Sequence, residues 1–146
     1  MMDAIRVKRL KENAIMPTYG SVEAAGADLY ACLSEPITIQ PGESAFLPTG
    51  LAMELPSGYA GLIYARSGLA CKRGLAPANK VGVVDSDYRG EFMIVLYNHG
   101  TNPQTIRHGE RIAQLVITPV FTPGFIEVAE LTDTQRSGGG FGSTGK

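Results

Sequence analysis

Cysteine, net charge and long apolar runs are all scarce in this sequence, and each scarcity removes a class of protein. Only Cys32 and Cys71 occur among 146 residues, in neither a CxxC nor a Cys/His spacing. A disulfide framework and a thiolate zinc site are therefore set aside. The formal net charge is -1, whereas binding to a nucleic-acid backbone normally shows as an excess of Lys and Arg. No nucleic-acid partner is expected, and any phosphate site must be local. No stretch reaches the ~20 apolar residues of a membrane-spanning helix. The opening Met1-Met2-Asp3-Ala4-Ile5-Arg6-Val7-Lys8 mixes charges with apolar residues where a signal peptide needs an unbroken apolar core. The expectation is a soluble, cytoplasmic protein of a reducing compartment, without a membrane partner.

What is present points to strands. With 44% hydrophobic and 18% charged residues, the chain is sized for one globular domain with its own core. Its 18 glycines and 9 prolines fall between short Val/Ile/Leu-rich runs, the pattern of many strands joined by tight turns. Ile5 and Val7 alternate with Arg6 and Lys8 as an opening half-buried strand. Further strands are expected at 27–31, 37–39, 44–48, 51–55, 59–65, 81–85, 92–97, 104–106, 112–119 and 125–128. That spacing predicts an all-β sandwich or jelly roll. One segment differs: Ser67 to Gly74 has Ser at an N-cap position, Lys72 and Arg73 at the far end and Gly as a stop, which predicts one short helix. The division expected is a β domain over 1–132 and a glycine-rich tail over 133–146 that is mobile until something binds.

Four constellations carry possible chemistry. Ala65-Arg66-Ser67-Gly68 brings a guanidinium, a hydroxyl and the free N–H groups of a helix start together. This suits phosphate, and it equally suits a capped helix with Arg66 in a surface ion pair. Asp85 follows the apolar Val83-Val84 at the mouth of an expected hairpin. Part-desolvated there, it is a reasonable general base; the alternative is ordinary turn chemistry for 85–90. Asp28 and Tyr30 share one strand face, opposite Ala27 and Leu29. Gln114, in Gly109-Glu110-Arg111-Ile112-Ala113-Gln114-Leu115, reads by default as a solvated strand residue. The tail from Gly140 to Lys146 also fits GxxxxGK, but a Walker loop lies between a strand and a helix and needs a Ser or Thr after the Lys. That match is set aside.

In this order and spacing, Ala25 to Ala31, Ala65 to Gly68, Gly82 to Gly90, Gly109 to Leu115 and Arg136 to Gly145 resemble the five motifs of the trimeric dUTPase family. The resemblance implies a jelly-roll-like β-clip subunit with one short helix, assembled as a homotrimer whose active sites lie between subunits. It implies Mg2+-assisted hydrolysis of dUTP to dUMP and pyrophosphate, which limits uracil incorporation into DNA and supplies dUMP for dTMP synthesis. Residue by residue, Asp85 resembles the base that activates water. Arg66, Ser67 and Gly68 resemble the phosphate cradle, and Gln114 the contact to the α-phosphate. Asp28 is similar to the acidic residue that supports magnesium through bound water. Asn79, Val83 and Val84 resemble the uracil pocket, Tyr88 the ring under the deoxyribose, and Met93 its neighbour on the returning strand. In the tail, Phe141 resembles the ring that stacks on uracil, while Arg136, Gly138, Ser143 and Thr144 resemble the γ-phosphate clasp. The related dCTP deaminases share fold and phosphate segment, but the hairpin here has the dUTPase aspartate and tyrosine. A jelly-roll module that binds nucleotide without turnover is the rival from another class.

Overall fold

The computed structural model describes residues 4–140. The chain is mostly strand, with β1 (Arg6–Arg9), β2 (Thr18–Tyr19), β3 (Ala27–Tyr30), β4 (Ile37–Ile39), β5 (Ser44–Glu54) and β6 (Tyr59–Tyr64) preceding helix α1 (Ser67–Arg73). After it come β7 (Leu75–Pro77), β8 (Gly82–Val84), β9 (Glu91–Asn98), β10 (Gln104–Ile106) and β11 (Arg111–Pro119). Two larger sheets, ordered β1-β5-β9-β7 and β2-β3-β11-β6-β8, accompany a small β10-β4 pair. The alternation of β9 shows how sequence sets this layering: Phe92, Ile94 and Leu96 point inward, while Met93 is exposed and Val95 half-buried. Leu47 and Leu51 from β5 join them, and Leu29, Ile63 and Leu115 come from the other large sheet into the same buried cluster. Each such side chain contributes about 1.5–3 kcal/mol on burial.

Polar staples fix the ends of these elements. Asn98, fully buried at the end of β9, donates to the carbonyls of Ile39 (2.9 Å) and Asn102 (2.8 Å) and accepts from Gly100 N–H (2.9 Å). All its polar atoms near the core are thereby satisfied. Arg73 closes α1 onto its surroundings, donating to Gln104 Oε1 (3.0 Å), Glu110 Oε2 (2.7 Å) and the Thr105 carbonyl (2.6 Å).

Several expected elements take another form. The runs at 44–48 and 51–55 are one strand, β5, whose pairing with β9 shifts between Pro48 and Ala52. Gly50 sits there at φ +69, and Thr49 Oγ1 donates to the Phe92 carbonyl at 2.7 Å, so the strand stays docked through its irregularity. Short β2 and the Pro-containing β7 have too little alternation to be read from sequence. No strand forms at 125–128: Phe125 is 100% and Ile126 87% exposed, because the segment has no strand partner within the described chain. In α1 the N-cap is Arg66, not Ser67, and no side chain caps the helix. Arg66 is the last extended residue, its carbonyl taking the Ala70 N–H at 2.9 Å, so Ser67 is already helical. The expected stop is in place, with Gly74 left-handed at the C-terminus. No helix among the described residues is long and apolar enough to cross a membrane.

Candidate active site

The strand β8, the turn after it and the start of β9 line a cleft of about 220 Å³; the hairpin expected there does not form, because β8 pairs with β6 in one large sheet and β9 with β5 and β7 in the other, so the turn crosses between the two sheets. Six of its lining residues, Asn79, Val83, Val84, Asp85, Tyr88 and Met93, were singled out from sequence. The turn is held by local bonds. Tyr88 N–H reaches the Asp85 carbonyl (3.2 Å), and Arg89 Nη1 donates to the carbonyls of Ser86 (2.7 Å) and Tyr88 (3.0 Å). Because β8 ends its sheet, one backbone edge of the Val83-Val84 segment has no strand partner among the described residues. That edge can be read by a planar polar ring. Asn79 is brought close by Gly82, where an added Cβ would lie 3.2 Å from its Nδ2.

Asp85 differs from expectation in one respect. Its side chain is exposed, since the turn carries it past the end of the apolar strand; the part-desolvation inferred from its neighbours is not found in the single chain.

A second cluster lies on the same sheet. Asp28 on β3 faces Gln114 on β11 in register. With a side chain only 13% exposed, Asp28 accepts from Arg66 Nε (2.6 Å) and Arg111 Nη1 (3.4 Å). Two guanidinium groups and one carboxylate leave an excess of positive charge, beside the N–H groups of the α1 start at Ser67 and Gly68. Gln114 is turned inward by a bond from its Nε2 to the Ala65 carbonyl (2.8 Å), so the default reading of it as solvated is replaced. Gly26 makes room for this amide: an added Cβ would fall on Gln114 Oε1 and 3.1 Å from Cδ. Arg66 and Gly68 also line a polar groove with Lys72, Arg73 and Arg111. Arg66 thus combines both sequence alternatives, forming an ion pair while facing a groove.

The β8–β9 cleft and this groove share no lining residue. Arg136 and Gly138 line neither; the tail there folds on itself, with Arg136 Nε donating to the Gly139 carbonyl at 2.9 Å. Phe141, Ser143 and Thr144 lie outside the described residues. Sequence reading missed Arg111, whose role depends on the irregular pairing between Arg111 and Ala113 in β11. It also missed Gly26 and Glu91; the Glu91 carboxylate takes the Gly50 N–H at 2.7 Å. The only sequence signal for Gly26 was a glycine opening an alternating strand.

Among the described residues, no three His, Cys, Asp or Glu side chains converge as a metal cage. Magnesium seldom needs one, since it keeps water and takes substrate phosphate oxygens alongside one or two carboxylates.

A family model described as dUTPase matches residues 12–145. The deoxyuridine 5'-triphosphate nucleotidohydrolase of Desulfitobacterium hafniense is 48% identical, over 99% of this chain and 99% of that protein. That of Hahella chejuensis is 49% identical, over 94% and 91%. Among solved structures, a Staphylococcus bacteriophage 80alpha dUTPase mutant with dUpNHpp superposes with a TM-score of 0.90 at 30% identity, covering 99% of this chain and 100% of that one. A dUTPase mutant from phage phi11 of S. aureus, described with a structural Mg(II) ion, gives 0.81 at 28% identity over 90% and 100%.

Proposed function

The chain belongs to the dUTPase family, and we propose that it hydrolyses dUTP to dUMP and pyrophosphate at sites that join the β8–β9 cleft of one copy to the charged cradle of another. The observation that carries this reading is the cleft, where an exposed carboxylate, a tyrosine and a free strand edge meet. Uracil offers two carbonyl acceptors flanking one N–H donor, which suits the backbone of Val83 and Val84 together with Asn79. Cytosine inverts part of that pattern and leaves polar groups unpaired, a costly mismatch once water is excluded. Tyr88 supports the deoxyribose, with Met93 beside it.

Asp85 accepts a proton from water as the oxygen attacks the α-phosphorus. The new P–O bond replaces the bond to the bridging oxygen, and pyrophosphate leaves with that oxygen. Arg66, Ser67 and Gly68 receive the phosphates, and Gln114 reaches the α-phosphate from its seat against Ala65. Positioned charge and N–H groups contribute most of the stabilisation in such reactions. The residues fit a magnesium ion carried in by the triphosphate. Both Asp28 oxygens already accept from guanidinium groups, which suits support through bound water. When bound, the ion supplies charge neutralisation along the triphosphate. The tail 133–146 is read as a flap in which Phe141 covers uracil while Arg136, Gly138, Ser143 and Thr144 hold the γ-phosphate.

Assembly as a homotrimer of jelly-roll-like subunits follows from two supports. Cradle and cleft are lined by different residues of one chain, an arrangement compatible with a site that draws the two from different copies. Phe121, Phe125, Ile126 and Leu131 are each at least 86% exposed on an extended segment, an apolar stretch that water alone does not stabilise. The test is pyrophosphate release with magnesium from dUTP, dCTP, dTTP and UTP in parallel, with ammonia followed in the same wells. Rapid release from dUTP alone is expected. Ammonia from dCTP, or tight dUTP binding without turnover by folded protein, overturns the assignment.

A further inference from the structure

We propose that Gly90 is a positioning residue for sugar selection, acting by giving Tyr88 the space to lie against the turn between β8 and β9. The inference rests on the reading of Tyr88 as the wall under the deoxyribose. Tyr88 is 45% exposed, so burial alone does not hold its ring. Two contacts do: its hydroxyl donates to the Glu91 carbonyl at 2.9 Å, and its ring stands 6.2 Å from that of Phe92 at a 44° tilt. Phe92 is buried and fixed in the core, which makes it a rigid reference for the ring.

The third element is an absence of atoms. A Cβ on residue 90 would lie 2.5 Å from Tyr88 Cζ and 2.9 Å from Cε2, and closer still to the hydroxyl oxygen. Any side chain there pushes the ring off the turn. Gly90 is not among the glycines with left-handed backbone, so its φ does not call for glycine; the space under the ring does. Because Tyr88 is half out of the protein, the ring can swing away at little cost in stability. The displaced ring no longer presents its face where a ribose 2′-hydroxyl would clash, and its hydroxyl loses the Glu91 carbonyl.

The experiment compares kcat/KM for dUTP and UTP in the full-length protein with magnesium, for the wild type, Gly90→Ala, Tyr88→Ala and the double variant, each checked for folding by thermal melt. Gly90→Ala is expected to lower the dUTP/UTP preference about tenfold or more, since small misplacements in a site are costly. In the Tyr88→Ala background the same change should alter the preference less than about twofold, the usual limit for sites that do not interact. An unchanged preference in Gly90→Ala overturns the proposal, and so does an equal drop in both backgrounds. If Tyr88→Ala itself keeps full preference, the sugar-facing role of Tyr88 fails and this proposal with it, while wild-type turnover of dUTP keeps the reaction itself standing. Should Gly90→Ala not fold, Tyr88→Phe supplies the test: loss of the bond to Glu91 should lower the preference, and an unchanged value overturns the anchoring.

Discussion

The β8–β9 cleft takes eight of its ten lining residues from the stretch 82–93, whereas the cradle gathers Asp28, Arg66, and Arg111 with Gln114 from three separated places in the chain. Local turn bonds hold the first, and its chemical side chains reach solvent. Strand register and part-buried ion pairs hold the second, and its charges lean on one another. A residue in the cleft can therefore change function while leaving the fold alone. In the cradle, function and stability are tied together, because removing one partner leaves another charge poorly paired.

Variants should separate the two regions in a definite order. Asp85→Asn should lower kcat by a factor of ~10²–10⁴, the usual range for a lost general base, with an unchanged melting temperature because the side chain is exposed. Near-normal pyrophosphate release, or a large loss of stability, would contradict the division. Deleting residues 133–146 should remove most activity and leave the oligomer intact by sedimentation; dissociation would make the tail structural. In the cradle, Asp28→Asn should lower activity and also cost about 1–3 kcal/mol in denaturant unfolding, since it leaves charge-assisted bonds at a part-buried site unmade. A purely catalytic effect there would erase the contrast with Asp85. Gly26→Ala should be the mildest, costing about 1–3 kcal/mol or less through overpacking against Gln114, with KM for dUTP rising as the amide shifts. An unaffected KM would mean that the seat of Gln114 has no bearing on substrate.

The same contrast explains what could be read in advance. Strands at 37–39, 104–106 and 112–119 and the helix with its Gly74 stop were legible because alternation and stop signals are local. So were the residues of the cleft, whose Val83, Asp85 and Tyr88 lie within six positions, although the hairpin read there is a crossover between the two large sheets, since β8 pairs with β6 and β9 with β5 and β7. The exposure of Asp85 was not legible, since an apolar neighbour in sequence says nothing of where a turn ends. Arg111 was hidden for a different reason: its reach to Asp28 depends on an irregular pairing between strands 83 residues apart. Gly50 looked like a chain break, yet β5 runs through it because Thr49 and Glu91 hold both sides. At 125–128 the apolar residues were read as a strand, but the segment has no strand partner among the described residues and Phe125 and Ile126 stand exposed; under the proposed assembly a second copy would cover them.

Mixing variants probes the proposed sharing of the site between copies. Asp85→Asn is expected to disable the cleft and Gln114→Ala the cradle; co-refolded, they should form mixed oligomers in which about a quarter of sites draw both intact halves from different copies. Recovery of dUTP hydrolysis well above either parent is the predicted result. Mixed oligomers shown by mass to have formed, yet no more active than the parents, would mean that each copy builds its site alone.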